Sequence, residues 1–225
     1  MELALIGTGT GVGKTRVTLL LAAALRARGR RVWLHKPVAC GDWDGVSADD
    51  GRRLRAAVGD GQDPALICPR EFPEPASPHV AAAAAGVQIS AMKLTAALSR
   101  CRGGTHDLLV EGAGGLLAPL TSDRQTLAEL LPQWELPALL VTRPDLGTLN
   151  HTALTVRVAR AAGIRLLGLV LNTPEPVADS LAVRTAAAEL VACTEIPLLA
   201  RVAHGDDPAA GPALVNALLG GTFTP

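Results

Sequence analysis

Short, almost wholly apolar runs recur along the chain, spaced too far apart for simple hairpins. "ELALIG" (2–7), "RVWLHK" (31–36), "DLLVEG" (107–112), "PALLVT" (137–142), "RLLGLVLN" (165–172) and "PLLARV" (197–202) each read as a buried strand. The segments between them read as helices. "TRVTLLLAAALRARG", following Lys14, is closed by Gly29, a residue suited to the left-handed cap, and further helical stretches lie around 90–101, 149–162 and 179–192. Apolar strands alternating with helices predict an α/β fold, a mostly parallel sheet with helices on both faces, because each parallel crossover must carry a helix. The stretch 60–79 is proline-rich and irregular, 203–212 is loose, and "AAAAAG" (81–86) needs only the helix propensity of alanine to explain it. No repeat or linker interrupts the pattern, so residues 1–225 are expected to form a single domain.

In such a sheet ligands bind at the carboxyl ends of the strands. The chemically expressive residues fall there: a glycine loop after the first run, Lys36 and Cys40 after the second, Glu111 after "DLLV", and Asn172 after "LLGLVL".

Composition narrows the classes. Lysine plus arginine and aspartate plus glutamate both total 21, giving no net charge and no long run of one sign, which argues against a nucleic-acid or membrane partner held by bulk electrostatics. Cysteines at 40, 68, 101 and 193 form no CxxC pair, as expected for reduced thiols in the cytoplasm. The N-terminal apolar run is too short for a signal peptide, and no stretch reaches membrane-spanning length. A soluble cytoplasmic protein is expected.

"IGTGTGVGKT" (6–15) carries the strongest chemistry. Small residues let backbone N–H groups turn toward a phosphate, and the following helix adds its positive end. Lys14 is placed to neutralise β- and γ-phosphates, and the Thr15 hydroxyl to ligate Mg²⁺. A dinucleotide fingerprint fails, because Val12 and Lys14 stand where it needs glycine. The spacing also departs from the usual phosphate loop: Thr8 occupies the place of the first glycine, and Gly7 lies one residue further back. A P-loop NTPase-like domain binding ATP or GTP follows, with an enlarged loop.

The longer loop, Gly7 to Thr15, resembles the Gly-Thr-x-Thr-x-Val-Gly-Lys-Thr pattern of the dethiobiotin synthetases. "KPVACG" (36–41), "ADD" (48–50), "SPH" (77–79), "VEGAGGLLAPL" (110–120), "LGTLNH" (146–151) and "LVLNTP" (169–174) extend the likeness along nearly the whole chain. The resemblance implies an ATP-dependent cyclo-ligase. It would join CO₂ to the two amines of 7,8-diaminononanoate, with Mg²⁺ as cofactor and ATP as co-substrate, in a homodimer that binds substrate across its interface.

Such chemistry brings an anionic carbamate up to an anionic phosphate. Two unit charges about 4 Å apart repel by roughly 4 kcal/mol at an effective dielectric near 20, so positive charge is needed on both sides. Lys14 supplies it beside the nucleotide and Lys36 between carbamate and phosphate; the competing reading of Lys36 is a strand-end lysine in water. The family pattern implies Mg²⁺ ligation by Thr15, Asp50 and Glu111, with Asp49 the alternative to Asp50 and a plain helix-start acid pair the bland reading. It implies nucleotide contacts at Gly11, Val12, Gly13, Lys14, Thr15, Arg16, Asp50, Glu111, Gly112, Ala113, Gly114, Asn172 and Thr173, with Asn172 reading the base. Substrate contacts fall on Cys40, Gly115, Leu116, Gly147, Thr148, Leu149 and Asn150, the last of which reads equally well as a helix N-cap. Thr10 is expected to act catalytically with Lys14 and Lys36, facing the gap between carbamate and γ-phosphate. His151 reads as structural.

Two positions depart from the family. Cys40 stands where serine is frequent, and Val202 and Ala203 replace an Ile-Pro pair, predicting a looser base pocket. The rival reading is an ATPase switch of the partition or septum-positioning type, but that group carries a lysine in the loop where this chain has Gly9. An amidating ligase of the cobyrinate type would call for a further glutaminase domain, and a regulatory GTPase for Asn-Lys-x-Asp in place of "LNTP".

Overall fold

The computed structural model describes residues 1–58 and 61–220. The chain forms β1 (Glu2–Gly7), α1 (Lys14–Arg26), β2 (Val32–His35), β3 (Ala39–Cys40), α2 (Asp49–Ala56), β4 (Glu71–Phe72), α3 (Pro78–Ala84), α4 (Ala91–Arg100), β5 (Asp107–Glu111), α5 (Leu127–Gln133), β6 (Ala138–Thr142), α6 (Thr148–Ala161), β7 (Leu166–Asn172), α7 (Leu181–Thr194), β8 (Leu198–Val202) and α8 (Ala210–Gly220). Six strands make one sheet in the order β2-β5-β1-β6-β7-β8, with every pairing parallel.

Successive strand side chains point to opposite faces, and both faces are dry. On one, Leu3, Leu5, Leu34, Leu109, Leu139 and Val170 pack with Val17, Leu21 and Leu25 of α1, Leu54 of α2 and Leu214 of α8. On the other, Ile6, Leu108, Val110, Leu140 and Leu169 pack under Leu94 and Leu98 of α4, Leu130 of α5, Val156 of α6 and Leu190 of α7. That double coverage is why the strands read as unbroken apolar runs rather than alternating ones.

All six expected strands form, and the helices expected after Lys14 and around 90–101, 149–162 and 179–192 are α1, α4, α6 and α7. Gly29 takes a left-handed φ of 74° just beyond α1. The proline-rich stretch is not wholly irregular. Glu71–Phe72 pairs in parallel with Ala39–Cys40 as a second, two-stranded sheet, and Pro64–Leu66 makes one 3₁₀ turn. Strands of two residues are too short to leave a pattern. Asp60, the first residue of that stretch, lies outside the described residues, as do 221–225 at the end of the expected domain. α5 and α8 are additions to the expected elements; α8 begins inside the stretch read as loose. No helix among the described residues is long and apolar enough to cross a membrane.

Candidate active site

The glycine loop leaves β1 at the centre of the sheet and turns into α1. Gly11 and Gly13 take φ of 74° and 85°, backbone that L side chains resist, and a Cβ on Gly13 would strike the Asn172 amide. Lys14 and Thr15 are 6% exposed in the first turn of α1, aimed inward. Lys14 Nζ donates to the carbonyl oxygens of Gly9 and Gly114, both at 2.8 Å, closing the loop over the "EGAGG" turn. Burial and then the nearby Lys36 bring Lys14 down to about 8, against the opposing pull of Glu111 and Asp50.

Lys36 does not reach solvent. Directly after β2 it is 4% exposed, and its Nζ donates to Glu111 Oε1 at 2.6 Å and to Asp50 Oδ2. Burial alone would lower its pKa, but Glu111 and Asp50 together outweigh it and hold the ammonium above its ordinary value. Burial likewise works to raise Asp50, and the Lys36 charge with its hydrogen bond, aided by Thr15, keeps that carboxyl below the usual range. The solvent-lysine reading is therefore excluded by geometry.

Thr15 Oγ1 lies 2.6 Å from both Asp50 Oδ1 and Glu111 Oε1, and its single proton can serve only one of them at a time. It is Asp50 that meets Thr15; Asp49 faces outward, paired with Arg52 at 3.1 Å and Arg53 at 3.7 Å. Glu111, at the end of β5, is completely buried, and among the described residues its Oε2 has no hydrogen-bond partner. Two carboxylates and a hydroxyl converging beside a phosphate loop, with a buried oxygen left over, fit Mg²⁺. That ion takes oxygen ligands and retains water and phosphate oxygens instead of filling a protein cage. Among the described residues no group of three or more His, Cys, Asp or Glu side chains gathers as a further metal site.

The enlarged loop has a division of labour. Thr8 Oγ1 lies 3.4 Å from the Thr142 hydroxyl, itself bonded to Thr148 at 3.0 Å and Thr152 at 2.9 Å. This buried hydroxyl cluster ties the loop to β6 and the start of α6. Thr10 is exposed, and a Cβ on Gly114 would come 3.9 Å from its hydroxyl oxygen. Gly115 faces Gly9, 3.5 Å from its Cα to a built Cβ. A side chain at Gly112 would press on Leu127 of α5. The glycines of "EGAGG" are thus fixed by close approach as well as by the turn.

The other residues expected at the site differ in what they present. Thr148 spends its hydroxyl in the threonine cluster, Leu116 is buried in the core at 4% exposure, and Leu149 packs partly against that core, so these three present backbone more than side chain. Val12 and Ala113 are likewise buried. Asn150 does not cap α6. Gly147 holds the cap position with φ 97°, and Asn150 sits exposed in the first turn. Asn172 is wholly buried: its Nδ2 donates to Val12 O at 2.8 Å and its Oδ1 accepts from Arg16. The Thr173 carbonyl also accepts from Arg16. Cys40, half-buried in β3, is pushed up to about 11 by burial and remains a thiol at neutral pH. His151 is exposed at the rim of an open cavity of about 240 Å³, lined also by Thr8, Thr10, Arg143 and Leu146.

Sequence reasoning did not single out Thr142, the hub of the hydroxyl cluster. Its signal was a polar residue closing an apolar strand run, the same signal that marked Glu111 and Asn172.

An ATP-dependent dethiobiotin synthetase of Anaeromyxobacter sp. (strain Fw109-5) is 41% identical over 216 residues, 96% of this chain and 95% of that protein. The chain belongs to the dethiobiotin synthetase family. A second member, from Bacillus velezensis, is 39% identical over 74% of this chain and 71% of its own length. Residues 1–208 also match the family described as AAA domain. Solved structures give the fold. The MinC:MinD cell division protein complex of Aquifex aeolicus aligns with a TM-score of 0.59 at 11% identity, covering 99% of this chain and 97% of that one. The septum site-determining protein MinD of Pyrococcus horikoshii, complexed with Mg-ADP, aligns at 0.52 and 19% identity over 96% and 85%. At such identities the likeness is one of P-loop architecture alone; membership of the synthetase family rests on the sequence relatives.

Proposed function

We propose that this protein closes a urea ring on 7,8-diaminononanoate with CO₂ and ATP, giving dethiobiotin, ADP and phosphate. The observation that carries the reading is Lys36, a buried ammonium held by Asp50 and Glu111 at the mouth of the phosphate loop. Two ammoniums, Lys14 and Lys36, and two carboxylates balance one another there. An incoming triphosphate and carbamate then supply the negative charge that the ammoniums, released from loop carbonyls and carboxylates, are placed to meet.

The first amine adds to CO₂, forming a C–N bond and releasing a proton, to give the carbamate. A carbamate oxygen attacks the γ-phosphorus, the bond to the ADP oxygen breaks, and a carbamic-phosphoric anhydride results. The second amine attacks the carbonyl carbon, loses its proton and expels phosphate, which closes the ring. Lys36 screens the approach of the two anions and Lys14 the developing charge on the leaving ADP. Thr10, exposed beside Gly114, faces the transfer gap. Mg²⁺ held by Thr15, Asp50 and Glu111 would supply charge neutralisation at the phosphates.

The substrate carboxylate is assigned to the N-terminus of a partner subunit's α6, in a homodimer, where the first-turn N–H groups of Leu149 and Asn150 favour an anion while that of Thr148 is taken by the Asp145 carbonyl at 3.1 Å. Leu146, 90% exposed beside the cavity, supports a covered position for this corner. The protein is read as cytoplasmic.

Lys36→Ala tests the assignment. Dethiobiotin formation should fall at least about a hundredfold, the cost of removing one preorganised charge partner, while ATP still binds. Unchanged turnover would remove Lys36 from the chemistry.

A further inference from the structure

We infer that Arg16 is a positioning residue that builds the wall of the base pocket instead of contacting phosphate; the inference rests on the nucleotide-dependent reading above. Arg16 follows the Lys14-Thr15 pair in the first turn of α1, close enough to the glycine loop for a cation to be drawn toward phosphate. Its guanidinium turns the other way. Nη1 donates to Asn172 Oδ1 and to the Thr173 carbonyl, both at 3.2 Å, and Nη2 donates to the carbonyls of Ala203 and Gly205, both at 2.5 Å. Each terminal nitrogen carries two hydrogens, so all four are spent and only Nε–H remains. A two-toothed grip on phosphate is no longer available to it.

The four acceptors lie at the end of β7, at Asn172, and on the loops leaving β7 and β8. In the sheet these strands are on one side of β1, while β5 and β2, which bring Glu111 and Lys36, are on the other. A nucleotide whose γ-phosphate meets Lys36 and the Thr15–Asp50–Glu111 cluster must therefore run across the glycine loop and place its base toward the β7 and β8 exits. Gly13 is already pressed against that side, its built Cβ 3.7 Å from Pro174. Arg16 straps the two exits together, and Asn172 relays the strap to the glycine loop through its bond to Val12 O. The 203–205 segment is otherwise exposed, and a contact of 3.1 Å between His204 Nδ1 and the Pro174 carbonyl adds a second tie across the same gap.

The test compares ATP, GTP and inorganic tripolyphosphate binding to the wild-type protein, Arg16→Met and Arg16→Lys by titration calorimetry, with thermal melts as a control on folding. Both variants should bind tripolyphosphate as the wild type does, while ATP weakens about tenfold, the cost of one or two lost hydrogen bonds to loop order, and its preference over GTP narrows. Arg16→Lys is the sharper variant, and it decides alone if Arg16→Met fails to fold. Lysine keeps the charge and the reach to phosphate but cannot span four acceptors. Equal weakening of ATP and tripolyphosphate in Arg16→Met would make Arg16 a phosphate ligand and overturn the inference. Unchanged ATP affinity with unchanged preference over GTP would also overturn it. A wild-type protein that binds neither ATP nor tripolyphosphate would instead sink the nucleotide reading on which the inference rests.

Discussion

Next to Lys36 in the chain, His35 is also buried at the end of β2, yet it is handled in the opposite way. Lys36 keeps its charge because two carboxylates face it; His35 has none. Its Nδ1 lies 2.7 Å from the Leu66 carbonyl, its Nε2 has no partner among the described residues, and burial lowers it to about 4 despite the Leu66 bond. The unfolded chain, with an ordinary histidine near 6.5, takes up its proton first as the pH falls, and the folded protein does not follow until about 4. Stability contributed by neutral His35 is therefore lost across that window, by about 2 kcal/mol between pH 7 and pH 5. Denaturant unfolding at the two pH values should show this slope in the wild type and a smaller one in His35→Gln; equal slopes would contradict it. At this scale the sequence was uneven. Lys14, Thr15 and Glu111 were legible because strand, loop and helix fixed which way they point. Asn150 and Leu116 were not, because a motif match gives a position in the chain and not the direction of a side chain.

Elements with long periods or long apolar runs were legible; those that depend on local chemistry were not. α5 is the clearest case. Its seven residues are too few to show a helical period, but Thr126 and Glu129 stand three apart before an apolar run, and the Thr126 N–H donates to Glu129 Oε2 at 2.7 Å. That spacing is the capping-box signature and could have been read from sequence. The element matters because Leu127 fills the space against Gly112, directly behind Glu111. Thr126→Ala should cost about 1 kcal/mol and lower the melting temperature by roughly 2–4 °C. An unchanged melt would mean the cap contributes nothing. β3 and β4, two residues each, had no pattern to read, and their pairing depends on the chain between them folding back.

For the whole molecule, the strand order does the positioning. β1 sits at the centre, so its loop lies between β5 and β2 on one side, with Glu111 and Lys36, and β6, β7 and β8 on the other, with Thr142, Asn172 and the Arg16 strap. Fold class and the placement of the glycine loop were readable from alternating runs alone; strand order was not, since it depends on contacts distant in sequence. The same architecture serves the MinD proteins, which is why the partition-type switch was a fair rival on fold and why fold cannot choose between them. The sequence relatives make that choice, and what the site does with ATP tests the reaction. The most direct measurement is ADP release by the purified protein with Mg-ATP, bicarbonate and 7,8-diaminononanoate, omitting each in turn. The account predicts release only when all are present, matched one for one by dethiobiotin; nucleotide binding with no diamine-dependent release would contradict it.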